Sequence, residues 1–315
     1  MKSKRTKVAV IGAGFVGASA AYAIALKGYC NELWLIDINA EKAAGEASDI
    51  HHALPWFSDM TIHAGGYAAI QDSDAIVITA GVNRRPGQSR LDLAEQNAVI
   101  AKSVAAEIKK YYNGGVVLVV ANPVDVLTHK FTEWLELPHG RVFGTGAMLD
   151  TARLIGSLSE RLAISASSIE AYIVGEHGDS HVPLWSLATV YGIGLEEYCR
   201  QTCIAFGPAQ KEEVMRENQT SGADIIRRKG ATYFGIGGAV AYITDCIIND
   251  RLTALPVSVL LTGQRGVRDT CVSLPCIVGA GGVAKILDPA MSEEEARQFR
   301  HSAGVIRKTL DSLSP

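Results

Sequence analysis

Three side chains near the middle of the chain have the types that proton transfer to a carboxylate-bearing substrate needs. His177 stands in Gly175-Glu-His-Gly-Asp-Ser180, between two glycines and directly after the apolar run 169–174. Imidazole is the group that exchanges a proton most readily near neutral pH. A lone histidine is more often structural than catalytic. Met148-Leu-Asp150-Thr-Ala-Arg153 changes that balance, because it opens a helical pattern with an acid and an arginine three positions apart, hence on one face. The acid can orient an imidazole and stabilise its protonated form. The arginine can hold a carboxylate through two parallel hydrogen bonds.

A second group of residues is suited to a nucleotide. Val8-Ala-Val-Ile-Gly12-Ala-Gly14-Phe-Val-Gly17 is a G-x-G-x-x-G directly after a strand pattern and opening a helical one. Gly12 permits the tight turn, Gly14 lets a pyrophosphate approach the backbone, and Gly17 lets helix and strand pack closely. Flavoproteins and unrelated glycine turns share the motif, so it is weak alone. Asp37 strengthens it: it ends the second apolar run, 20 residues after Gly17. A carboxylate there can accept from both ribose hydroxyls and would repel a 2′-phosphate, which favours NAD over NADP.

These residues need elements to carry them. Residues 8–11, 33–37, 75–79 and 116–121 have the aliphatic composition of buried strands. Helical patterns lie between them at 14–27, 40–53 and 91–111. This alternation predicts a parallel sheet covered on both faces, a doubly wound α/β (Rossmann) arrangement with ligands at the carboxyl ends of its strands. The second half has long helical patterns at 150–162, 208–229, 235–249 and 292–313, around strand-like runs at 169–174, 254–261 and 270–278. That predicts a mixed α+β domain. With no repeat or low-complexity linker, the expected division is residues 1–146 for nucleotide binding and 147–315 for substrate binding and catalysis.

Composition excludes several classes. Of 315 residues, 48% are hydrophobic and 20% charged, the net charge is −3, and no basic stripe follows the first seven residues. A nucleic-acid partner is therefore not expected. The basic start followed by the apolar run 8–26 superficially resembles a signal peptide, but Gly12, Gly14, Gly17 and Gly28 interrupt it and no small-residue cleavage site follows. No stretch has the length and apolarity of a membrane span. Cys30, Cys199, Cys203, Cys246, Cys271 and Cys276 form no paired Cys/His set for zinc, so reduced thiols in a cytoplasmic protein without a metal are expected.

Gly12/Gly14/Gly17, Asn122-Pro-Val-Asp125, Leu149-Asp-Thr-Ala-Arg153, Gly175-Glu-His-Gly-Asp179 and Arg90 together resemble the lactate and malate dehydrogenases, over about residues 7–310. The resemblance implies NAD-dependent hydride transfer between nicotinamide and a small L-2-hydroxy acid or its 2-oxo partner. It implies that His177 exchanges a proton with the substrate oxygen, Asp150 orients His177, Arg153 binds the substrate carboxylate, and Arg90 polarises the carbonyl. Asn122 would touch both substrate and nicotinamide, with Thr232 in the pocket wall and Ile236 against the nicotinamide ring. Residues 81–90 would form a mobile lid, and the protein would be a homo-oligomer, a tetramer. Hydride addition to a 2-oxo carbon builds an alkoxide, which protonated His177 and Arg90 would stabilise.

Within that family the stretches 90–93, 175–185, 229–232 and 299–302 resemble bacterial L-lactate dehydrogenases. Arg84 dissents. Lactate-selective relatives carry glutamine at this lid position and malate-selective ones carry arginine, whose charge would pair with the second carboxylate of oxaloacetate. Against the methyl of pyruvate it would be desolvated without a partner; swung to solvent beside Arg85, it would not matter. The expectation is an L-lactate dehydrogenase, with malate dehydrogenase as the alternative. Ile155 and Glu170 stand where many bacterial relatives bind fructose 1,6-bisphosphate with an arginine and a histidine, so that effector is not expected to act. An NAD-dependent glycosidase would need a metal site, and a non-catalytic NAD-binding protein would leave Asp150, Arg153 and His177 without a purpose.

Overall fold

Short aliphatic strands followed by helices set the order of the first half in the computed structural model, which describes residues 5–83 and 90–313, with Arg90 by its backbone only. The order is β1 (Lys7–Ile11), α1 (Phe15–Lys27), β2 (Glu32–Ile36), α2 (Ala40–Ala53), β3 (Thr61–Gly65), β4 (Ala75–Ile78), α3 (Arg90–Tyr111), β5 (Val116–Val119), α4 (Val124–Leu135) and β6 (Val142–Gly144). The six strands are all parallel, in the order β6-β5-β4-β1-β2-β3. Alternation along each strand explains why the runs are apolar throughout. Val8, Val10, Leu33, Leu35 and Val77 belong to one buried cluster with residues of α1 and α2. Ala9, Ile11, Ile76 and Ile78 belong to another with residues of α3 and α4. Helices on both faces leave a parallel strand no solvent side.

The second half continues with α5 (Met148–Leu162), β7 (Ile169–Glu170), β8 (Ile173–Val174), β9 (Val182–Pro183), β10 (Thr189–Val190), β11 (Ile193–Gly194) and α6 (Leu195–Gln201). It ends with α7 (Pro208–Lys229), α8 (Phe234–Ile248), β12 (Thr253–Thr262), β13 (Arg268–Gly279), β14 (Gly282–Ile286) and α9 (Glu293–Ser312). The start of α9 is a capping box, in which the Ser292 hydroxyl accepts from Glu295 N–H and the Glu295 carboxylate accepts from Ser292 N–H. The two halves share one sheet. β12 pairs antiparallel with β6 through Ser258 and Gly144, and β13 and β14 follow as an antiparallel meander, giving nine strands.

Residues 169–174 do not form the single strand that their composition predicts. β7 pairs with β10 and β8 with β9, in two separate small sheets. The run is shared between two partners, and each takes two residues. β3, β6, β14, α4 and α6 were also not anticipated. β6 has only three residues, and α4 follows the cis peptide bond Asn122–Pro123. Among the described residues no helix is long and apolar enough to cross a membrane. All six cysteines are free thiols.

Candidate active site

The glycine motif lies at the carboxyl end of β1. Gly12 has φ +106°, and a Cβ there would meet Ala80 N at 2.7 Å, so the turn requires glycine. A Cβ on Gly17 would lie 1.8 Å from the Gly12 carbonyl oxygen, which is the close helix–strand packing the motif predicts. Gly14, at the N-cap of α1, has open space on its side-chain face. That space, in front of the first N–H groups of α1, suits an anion such as a pyrophosphate. Asp37 follows β2; its Oδ2 accepts from Ala13 N–H (2.7 Å) and its Oδ1 from Asn39 N–H (2.9 Å). The acid is thus fixed beside the glycine turn. These residues fit a dinucleotide, with the carboxylate placed for a ribose.

At the next crevice, Asn122 lies just beyond β5. Its carbonyl oxygen accepts from Asn97 Nδ2 of α3 (2.6 Å), and its Oδ1 accepts weakly from Val124 N–H (3.3 Å). Asn97 also exchanges hydrogen bonds with the main chain of Val82 (2.8 and 3.1 Å). One buried amide therefore joins the start of the expected lid to the end of β5. Arg84 and most of that lid lie outside the described residues. Arg90 opens α3 by its backbone.

The residues expected to transfer the proton, His177 and Asp150, meet in the second half with Arg153 beside them. His177 Nδ1 lies 2.6 Å from Asp150 Oδ2, and Asp150 Oδ1 accepts from Arg153 Nη1 at 3.2 Å. The Asp150 side chain is 4% exposed and that of His177 25%, so the acid is enclosed while the imidazole keeps an open side. Burial alone would push the imidazole down, but the charge and hydrogen bond of Asp150, helped by Asp125, outweigh it and raise His177 to about 9. Burial would raise Asp150, but His177, His181 and Arg153 together hold it below the ordinary carboxylate range. An imidazole held at Nδ1 by a carboxylate keeps Nε2 for a substrate.

Three buried residues that spacing did not single out position this pair. Asn218 of α7 donates from Nδ2 to the Asp150 carbonyl oxygen (2.8 Å). Asp125, in the first turn of α4, accepts from His177 N–H at 2.7 Å. Ser273 of β13 exchanges two 3.0 Å main-chain bonds with Gly175, and its hydroxyl accepts from Ala147 N–H at 3.0 Å. Of these, only Asp125 had a sequence signal, its place in Asn122-Pro-Val-Asp125. Thr232 and Ile236 lie at the entry to α8, where the Phe15 ring of the glycine motif stacks on Tyr233 with 5.2 Å between centroids. A Cβ on Gly235 would touch Leu149, the neighbour of Asp150, at 3.0 Å. The Thr232–Ile236 turn therefore lies between the glycine motif and the start of α5. Among the described residues no cluster of three His, Cys, Asp or Glu could hold a metal ion.

Comparison with known proteins gives a consistent picture. The family model for the lactate/malate dehydrogenase NAD binding domain matches residues 6–144, and that for the lactate/malate dehydrogenase alpha/beta C-terminal domain matches residues 147–314. The L-lactate dehydrogenase of Thermoanaerobacterium saccharolyticum is 42% identical, covering 98% of this chain and 99% of that enzyme. The L-lactate dehydrogenase of Priestia megaterium is 42% identical, covering 98% and 96%. Among solved structures, the ligand-bound minor L-lactate dehydrogenase of Enterococcus mundtii superposes with a TM-score of 0.95 at 38% identity, covering 98% of this chain and 99% of that one.

Proposed function

This chain belongs to the lactate/malate dehydrogenase family, and we propose that within it the protein is an NAD-dependent L-lactate dehydrogenase that reduces pyruvate to L-lactate. The observation that carries the proposal is the buried Asp150 carboxylate, with His177 Nδ1 at 2.6 Å and Arg153 Nη1 at 3.2 Å. One acid thereby sets the distance between a proton donor and a carboxylate-binding cation.

NADH, when bound, supplies the hydride that adds to the 2-oxo carbon. Arg153 holds the substrate carboxylate as a bidentate partner. His177, protonated at neutral pH, gives its Nε2 proton to the oxygen that becomes the hydroxyl. The neutral imidazole then remains hydrogen-bonded to Asp150, ready to be reprotonated. Arg90 would share the developing negative charge, as in the family, and Asn122, Thr232 and Ile236 would border substrate and nicotinamide. Gly12, Gly14, Gly17 and Asp37 would hold the pyrophosphate and ribose. Preorganised charge of this kind is the largest contribution to such catalysis.

Arg84 supports a second reading, oxaloacetate reduction, because a guanidinium inside the lid would pair with a second carboxylate. NADH consumption with pyruvate and oxaloacetate side by side separates the two. Higher efficiency with pyruvate is expected; higher efficiency with oxaloacetate would make the protein a malate dehydrogenase. The proposal extends to a cytoplasmic homotetramer, as the resemblance implies, and light scattering of the purified protein measures that assembly.

A further inference from the structure

Two carboxylates from different halves of the chain converge on one residue. Asp150 of α5 takes the His177 imidazole, and Asp125 of α4 takes the main-chain N–H of the same residue. Asp125 is 2% exposed. Its Oδ2 accepts that N–H, while Oδ1 is buried without a hydrogen-bond partner among the described residues. Ser258 of β12 lies near enough to pull the pKa of the carboxyl down without bonding it in good geometry. A buried carboxylate with an oxygen left over is unfavourable unless a cation faces it. The cation acting on Asp125 is the His177 imidazolium.

The surroundings are specific. Asp125 faces His177 and Glu176 from the loop after β8, Ser258 from β12 and Cys271 from β13. The imidazole faces Asp150 and Arg153 of α5 and His181 of its own loop, besides Asp125. Arg153 opposes a proton on His177; the two aspartates favour it. We propose that Asp125 is a positioning residue for the proton donor, holding the His177 main chain against α4 and adding a second negative charge that keeps the imidazole protonated. This rests on His177 being the donor. Burial pushes Asp125 up to about 6, with His177 pulling the other way, so the acid is ionised at neutral pH. The anchor also links substrate and cofactor sites: Asp125, in the first turn of α4, lies three residues after Asn122, just beyond the end of β5.

Asp125→Asn separates position from charge, because an amide oxygen can still accept the His177 N–H. The alkaline limb of kcat/KM for the 2-oxo acid should move down by about one pH unit, the lower end of what an adjacent opposite charge contributes. Asp125→Glu should return the limb towards the wild-type position. A merely structural residue would lower the melting temperature or the rate in the Asn variant and leave the limb in place, and that result in a folded protein would overturn the proposal. A second measurement uses the wild type without turnover, so it stands whichever 2-oxo acid is the substrate. With ring-labelled histidines, the His177 resonance, assigned by its loss in His177→Asn, should show an inflection near 6 from Asp125 as well as its own near 9. The lower inflection should persist in His181→Asn. Its absence would overturn the charge role of Asp125 even if the Asn variant failed to fold.

Discussion

Ser273 and Gly175 exchange both of their main-chain hydrogen bonds, each 3.0 Å long, which attaches the loop of His177 to the central strand of the antiparallel meander. The Ser273 hydroxyl simultaneously accepts from Ala147 N–H, one residue before α5 and three before Asp150. A single residue in β13 thus fixes the spacing between His177 and Asp150. Ser273→Ala should leave Ala147 N–H buried and unpaired, costing about 1–3 kcal/mol. Thermal melting should register the loss, and kcat should fall with little change in NADH affinity. An unaltered melting temperature would show that the bond contributes nothing.

The sign of the pH dependence follows from His177 being raised to about 9. Pyruvate reduction needs the protonated imidazole, so its kcat/KM should be level below that value and decline above it. Lactate oxidation should show the reverse. In stability, a histidine raised from 6.5 contributes fully below 6.5 and loses the contribution as pH rises through about 9. Asp150→Asn removes the main force opposing burial, so the reduction limb should shift to lower pH. A limb that stays in place in Asp150→Asn would remove the charge pairing from the mechanism. His177→Asn should lower turnover by about 10²–10⁴-fold while NADH still binds.

Cofactor choice should rest on Asp37, whose two oxygens are held by Ala13 and Asn39 N–H groups beside the glycine turn. NAD should be strongly preferred, because the carboxylate would face the 2′-phosphate of NADP. Asp37→Ser should narrow the ratio of efficiencies. Equal wild-type efficiencies with the two cofactors would refute this assignment.

Arg84 is the residue proposed to read the substrate's far end. If its guanidinium enters the closed lid, wild-type protein should reduce oxaloacetate detectably beside pyruvate. Arg84→Gln should then raise efficiency with pyruvate and lower it with oxaloacetate. A hydrogen bond to a charged group contributes about 1.5–3 kcal/mol, so the oxaloacetate loss should be roughly 10–150-fold. An unchanged ratio places the side chain in solvent.

Local chemistry made much of this protein legible in its sequence. The backbone of a tight turn needs glycine, so Gly12 and Gly17 announced the nucleotide turn. The apolar periodicity matched helices α2 and α7 at both of their ends. His177, Asp150 and Arg153 were recognisable because their side chains have the types that proton transfer and carboxylate binding need and sit beside diagnostic neighbours. Tertiary structure decided what joins them. Ala147 and Ser273 are 126 residues apart, Glu176 and Ser302 equally so, and His177 and Asp125 are 52 apart. A serine or aspartate in such a pair is an ordinary polar residue until folding buries it against a particular N–H. The same holds for the single sheet that unites both halves. Nothing local marks Gly144 and Ser258 as partners, because the pairing of β6 with β12 depends on how the helices bring two distant strand edges together.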